Sequence, residues 1–159
     1  MGEKREALGF VCKTGSKKWI MSNDQHTGYS LLLEFFVYAA PDEVMDLLTN
    51  PGFIKDWSGA EAVIEKQVDG KFMMFDGWVE GKILKIADDQ LSYTWKPSNW
   101  SEETAPSEVN YKMVAVEHGT EVFVKHTNFP NEEEMESHKK GWEEHFFGPI
   151  GEYLANRNL

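Results

Sequence analysis

The segment HTNFPNEEEMESHKKGWEEHFFGPIGEYL, His126 to Leu154, changes character halfway along. It opens as the end of a strand and then turns into a helix. Asn131 is a good N-cap with Glu134 three residues on, and Glu132 to Glu134 suit the positive end of a helix. Beyond it Met135, Trp142, Phe146, Ile150 and Tyr153 recur at helical spacing, so one face is apolar and bulky. A face of that size must cover something, and the preceding residues supply strands to be covered.

Tyr29 to Tyr38 is a strand by its Leu, Phe and Val content. Alternation puts Leu31, Leu33, Phe35 and Val37 on one face and Leu32, Glu34, Phe36 and Tyr38 on the other. Pro41 opens a short helix to Leu48, and Asn50-Pro51 ends it and starts a second that runs to about Trp57. A meander follows. Residues 61–68 and 70–76 read as a hairpin about Asp69-Gly70, with further strands at 78–86, 91–96, 107–117 and 120–129. Residues 97–106 form an exposed loop whose Trp100 is expected to cover an edge strand. A sheet of about seven strands curls, and only the terminal helix is long enough to close its concave side. The fold expected is α+β, a curved antiparallel sheet around a long C-terminal helix, with two short helices after the first strand. Gly148-Pro149 interrupts that helix, because proline lacks the backbone donor, and a bend is expected near His145.

With 159 residues the chain suits one domain, placed at 29–156. Residues 1–28 are expected to be a tail, disordered or a non-native extension. Its first 20 residues carry Lys4, Arg5, Lys13, Lys17 and Lys18 against Glu3 and Glu6, and Met21 looks like a natural start. The net charge of −11 argues against nucleic acid or an anionic membrane as partner and allows a basic protein surface. Cys12 is the single cysteine, no apolar run reaches membrane-span length, and no signal-peptide core is present, so a cytoplasmic address is the simplest reading.

The order of elements and several motifs resemble the START-like (birch-pollen-allergen-like, SRPBCC) superfamily, and within it homologues of the activator of the heat-shock protein 90 ATPase. The residues that carry the resemblance are Pro41, Val44, Pro51 and Trp57, the Gly81–Ile83 and Leu91–Trp95 strands, Gly119-Thr120, His126-Thr-Asn-Phe-Pro130 and Gly141-Trp142. The resemblance runs from about Tyr29 to Leu154. It implies a helix-grip fold with a cavity between sheet and C-terminal helix, often holding an apolar ligand, and a link to chaperones and the stress response. It does not imply one activity. The full chaperone activator has a separate N-terminal domain, which the 28 residues ahead of the first strand are too few to form.

The residues themselves point to a cavity rather than a reaction centre. Trp57, Phe72, Met74, Tyr93, Trp95, Tyr111, Met113 and His126 are candidates for its wall, with Trp142 and Phe146 as its lid. His126 shares a face with Val122 and Val124. It reads first as a core histidine bonded to backbone or helix, then as a ligand contact, and last as a general base. Glu134, His138 and His145 fail as a metal site, since the two histidines lie roughly 10 Å apart along the helix. No Gly-x-Ser-x-Gly elbow or phosphate loop occurs. The sequence thus supports a binding module for a small hydrophobic molecule, with no cofactor and no metal. The alternatives are a co-chaperone-like interaction domain and a cyclase- or hydrolase-like enzyme using His126.

Overall fold

The computed structural model describes residues 17–19 and 29–157. In chain order its strands are β1 (Lys17–Trp19), β2 (Tyr29–Val37), β3 (Val63–Ile64), β4 (Lys71–Met74), β5 (Val79–Ile86), β6 (Gln90–Pro97), β7 (Ser107–Val116) and β8 (Gly119–Phe129). The helices α1 (Pro41–Thr49) and α2 (Pro51–Ser58) follow β2, and α3 (Glu132–Gly141), a π-helical turn (Trp142–Phe147) and α4 (Gly148–Arg157) follow β8. All pairings are antiparallel, in the order β1-β2-β8-β7-β6-β5-β4-β3. The fold is the α+β helix grip: seven strands of the domain, extended at one edge by the short β1, curve around the C-terminal helical segment. β1 pairs with Leu32 to Ser30 and so brings three residues of the expected tail into the sheet. The rest of that tail, including Met21 and Cys12, lies outside the described residues.

Local chemistry sets the boundaries. Pro41 and Pro51 each occupy a first helical position. Asn50 Oδ1 accepts from the Gly52 and Phe53 amides at 2.9 and 3.4 Å, and Asn131 Oδ1 accepts from the Glu134 amide at 2.8 Å. Gly59, at φ 77°, ends α2 in the left-handed region.

The Asp69-Gly70 hairpin is looser than the alternation suggests. Only Val63–Met73 and Ile64–Phe72 pair, and residues 65–70 fold into a longer loop. The reason lies in the backbone bonds: the Asp69 amide donates to Ile83 O at 2.8 Å, so the corner is tied to β5 instead of closing a two-residue turn. Gly70 is needed for close approach, since a Cβ there would lie 2.2 Å from Glu65 O.

The expected bend in the last helix is a π turn. The Gly148 amide donates to Glu143 O, five residues back, and a Cβ on Gly148 would lie 2.6 Å from that oxygen. Widening the helix just ahead of Pro149 accommodates a residue that cannot donate. The extra residue shifts the phase of the buried face. Met135, Trp142, Phe146 and Ile150 stay buried as expected, but Leu154 takes the next inward position and Tyr153 is only half-buried.

Candidate functional site

The inner face of β6, β7 and β8 is built by strict alternation. Tyr93 and Trp95, Val109 and Tyr111, Val122, Val124 and His126 all point inward and are buried. Against them stands the helical face of Met135, His138, Trp142 and Phe146. Much of the space between the two is occupied by rings. Phe72 stacks on Tyr93 at 3.8 Å between centroids, Trp142 meets Trp95 at 5.3 Å and Phe146 at 4.7 Å, and Phe146 meets Trp57 at 4.8 Å. Such pairs add roughly 0.5–1.5 kcal/mol each beyond the area they bury.

A chain of hydrogen bonds threads these rings and fixes both histidine tautomers. The Trp142 Nε1–H, which can only donate, bonds His126 Nδ1 at 3.1 Å, so that nitrogen is unprotonated. His126 Nε2–H therefore donates to Ser107 Oγ at 2.8 Å, and the Ser107 hydroxyl in turn donates to Trp95 O at 2.6 Å. In the same way the Trp95 Nε1–H bonds His138 Nε2 at 3.1 Å, which leaves His138 Nδ1–H to donate to Glu134 O at 2.9 Å. Both imidazoles are thus neutral and fully engaged. Burial, followed by the neighbouring His138, pushes the His126 pKa well below its ordinary value. Burial also lowers that of His138, against the opposing pull of the Glu134 carbonyl and carboxylate. His126 has no lone pair left for a proton from a ligand, so the general-base role finds no free nitrogen. Tyr93 and Tyr111 bond hydroxyl to hydroxyl deep in the same core, and burial raises both pKa values.

The ten candidate residues divide into a floor and a rim. Phe72, Met74, Tyr93, Tyr111, Met113, His126 and Trp57 are buried in the packed interior. Trp95, Trp142 and Phe146 reach the wall of an open cleft of about 430 Å³. Phe75, Trp78, Asn99, Glu134, His138 and Glu144 line it with them, and Ser137, Lys140, Gly141 and His145 complete it. Sequence reasoning missed Phe75 and Trp78, although the Asp76-Gly77 pair marks a turn beside them. Trp100 also sits differently from expectation. Its Nε1–H bonds Glu134 Oε1 at 3.0 Å, so it fastens the 97–106 loop to α3 instead of covering an edge strand.

The turn that carries Phe75 and Trp78 is strained. Phe75, Asp76 and Gly77 take left-handed φ values of 55°, 59° and 93° in succession. Each of the two non-glycine residues costs on the order of 1–3 kcal/mol. The conformation is held by Asp76, whose Oδ1 accepts from the Glu61 amide at 2.8 Å and whose amide donates to Glu61 O at 3.1 Å. From the far side of the turn, the Ser98 amide donates to Trp78 O at 2.7 Å. Strain so fastened keeps Phe75 and Trp78 opposite the α3 face. Trp78 remains 40% exposed while lying over His138 with ring centroids 6.1 Å apart. No group of three or more His, Cys, Asp or Glu side chains is placed to hold a metal among the described residues. No helix there is long and apolar enough to cross a membrane.

Residues 38–155 match the family described as "Activator of Hsp90 ATPase homolog 1-like protein". A mouse protein, "Activator of 90 kDa heat shock protein ATPase homolog 2", is 29% identical over 72 residues, which are 44% of this chain and 22% of that protein. The chain therefore matches well under half of that relative's length. Among solved structures, an HSP90 activator from Plasmodium falciparum superposes with TM-score 0.73 at 26% identity, covering 80% of this chain and 97% of that one. The Aha1 dimer from Colwellia psychrerythraea has TM-score 0.67 at 19% identity, covering 79% and 95%, and shares the fold. The match over residues 38–155, on a helix-grip fold shared with these structures, places the chain in the activator of Hsp90 ATPase homolog 1-like family.

Proposed function

We propose that the domain is a binding module for a small hydrophobic molecule, seated in the cleft between the Phe75–Trp78 turn and the α3–π segment. One observation carries this reading. A strained turn holds a large, part-exposed indole across a concavity whose wall includes Trp95, Trp142 and Phe146. Strain of that kind persists where the surroundings enforce it, and such sites cluster at ligand clamps. A volume of about 430 Å³ falls in the usual range of small-molecule sites. The seven buried candidates, from Trp57 to His126, then serve as the rigid floor that fixes the rim.

The test is a fluorescence titration with the neutral probe N-phenyl-1-naphthylamine, beside native mass spectrometry of protein purified without organic solvent. The expected results are saturable binding by the wild type and an affinity at least about tenfold weaker in Trp78→Ala, whose fold should survive because the side chain is part-exposed. Equal affinity in the two proteins would remove the cleft as the site.

Family membership supports a second reading, in which the domain contacts a heat-shock protein 90-type chaperone. The net charge of −11 would favour a basic surface on that partner. Binding of this kind should weaken with salt and be indifferent to Trp78→Ala.

A further inference from the structure

We propose that residues 8–16, which lie outside the described residues, continue β1 along the edge of β2 and seat Phe10 and Cys12 in an apolar groove between the end of β2 and α4. No residue of this groove lines the cleft.

Phe36, Val37 and Tyr38 form one side of the groove, and Phe147, Gly151 and Leu154 form the other, around a volume of about 210 Å³. That is below the roughly 300–1,000 Å³ of small-molecule sites and suits a few side chains. Phe36 and Tyr38 are 43% and 71% exposed, two large rings side by side in water. Apolar groups gathered in this way mark a surface that something covers.

The direction of β1 selects the occupant. It runs antiparallel to β2, with Trp19 opposite Ser30 and Lys17 opposite Leu32. The chain ahead of Lys17 therefore heads along β2 towards Val37 and the groove. In the same register Ser16 falls opposite Leu33, Thr14 opposite Phe35, Cys12 opposite Val37 and Phe10 opposite Ala39. Leu33, Val37 and Ala39 are buried and Phe35 stacks on Phe147 at 4.3 Å, so these positions share the inward phase. The sequence fits it, since Leu8, Phe10 and Cys12 alternate with Gly9, Val11 and Lys13. Lys13 takes the outward phase, diagonal to Glu34, and opposite charges so placed favour a strand pair. A second copy is the poorer occupant. It brings a like net charge of −11, whereas residues 1–16 carry Lys4, Arg5 and Lys13 against Glu3 and Glu6. Covalent attachment also gives the segment a high effective concentration at the groove.

Cys12 is the single cysteine, so its reaction with N-ethylmaleimide reports on the segment directly. The reference is the free peptide of residues 1–16. In the full chain the reaction should be at least about tenfold slower, because the thiol is reached only when the segment lifts. Phe10→Ala removes the anchoring ring. Gly151→Leu fills the groove, and its fold should survive because a Cβ there meets nothing within 4 Å. Each variant should bring the rate to within about threefold of the peptide. A wild-type rate equal to that of the peptide would overturn the proposal. Slow reaction that either variant leaves unchanged would do the same, since the protection would then lie outside the groove. Slow reaction that speeds up on dilution would seat the segment on a second copy and overturn it equally.

Discussion

Trp142→Ala is expected to lower the free energy of unfolding by about 3–5 kcal/mol, the usual range for deleting a large buried aromatic. Trp142 is buried and meets Trp95, Tyr111, His126 and Phe146 with ring centroids 4.7–5.9 Å apart. Its loss would also orphan His126 Nδ1, an acceptor with no access to water, which costs roughly 1–3 kcal/mol. Trp142→Phe separates the two effects. It keeps most of the ring and removes the donor, so its cost should fall near the lower of the two figures. Urea unfolding of the three proteins gives both differences. A loss below about 1 kcal/mol for the alanine variant would mean that the π turn does not press this ring into the sheet.

Acid should weaken the fold well before most carboxylates titrate. His126 and His138 both have folded pKa values below the ordinary 6.5, His126 through burial and the neighbouring histidine, His138 through burial partly offset by Glu134. The unfolded chain therefore takes up protons first as pH falls. The stabilisation is whole above about pH 7 and is lost as pH falls through 6.5 towards the folded values. Both histidines contribute to this loss as pH falls, His138 less than His126 because Glu134 opposes its shift. Urea midpoints at pH 7.5, 6.5 and 5.5 should fall in that order. A midpoint that stays level would show that these histidines are not held neutral in the core.

The fold was legible because period and punctuation agree along most of the chain. The alternation of Leu91, Tyr93 and Trp95 predicts the inner face of β6, and Asn131 with three acids predicts the start of α3. His126 falls on the inner face by the same rule. What was hidden depends on close approach and strain. The Asp69-Gly70 pair reads as a tight hairpin turn, but the Asp69 amide serves β5, a bond set by the register of β4 on β5. The left-handed Phe75 runs against the preference of its own side chain, so no local rule finds it. Trp78 consequently looks like an ordinary strand residue in sequence and a cleft wall in space. His138 entered the sequence argument only as a failed metal ligand. Its role, capping the Trp95 indole and backing Trp78, needs the helix and β6 to be docked. The phase shift at the π turn likewise exchanges Tyr153 for Leu154, which a uniform helical repeat cannot show.

The proposed ligand site is the rim cleft, above an interior in which His126, His138, Tyr93 and Tyr111 already bond protein partners. The direct measurement is a titration of ¹⁵N-tryptophan-labelled protein with neopentylbenzene, following the six indole N–H resonances, assigned by single substitutions. Trp78 should shift most, with Trp95 and Trp142 moving less because their N–H groups remain bonded to His138 and His126. A dominant shift at Trp142 and Trp57, with Trp78 still, would contradict it and put the ligand between sheet and helix.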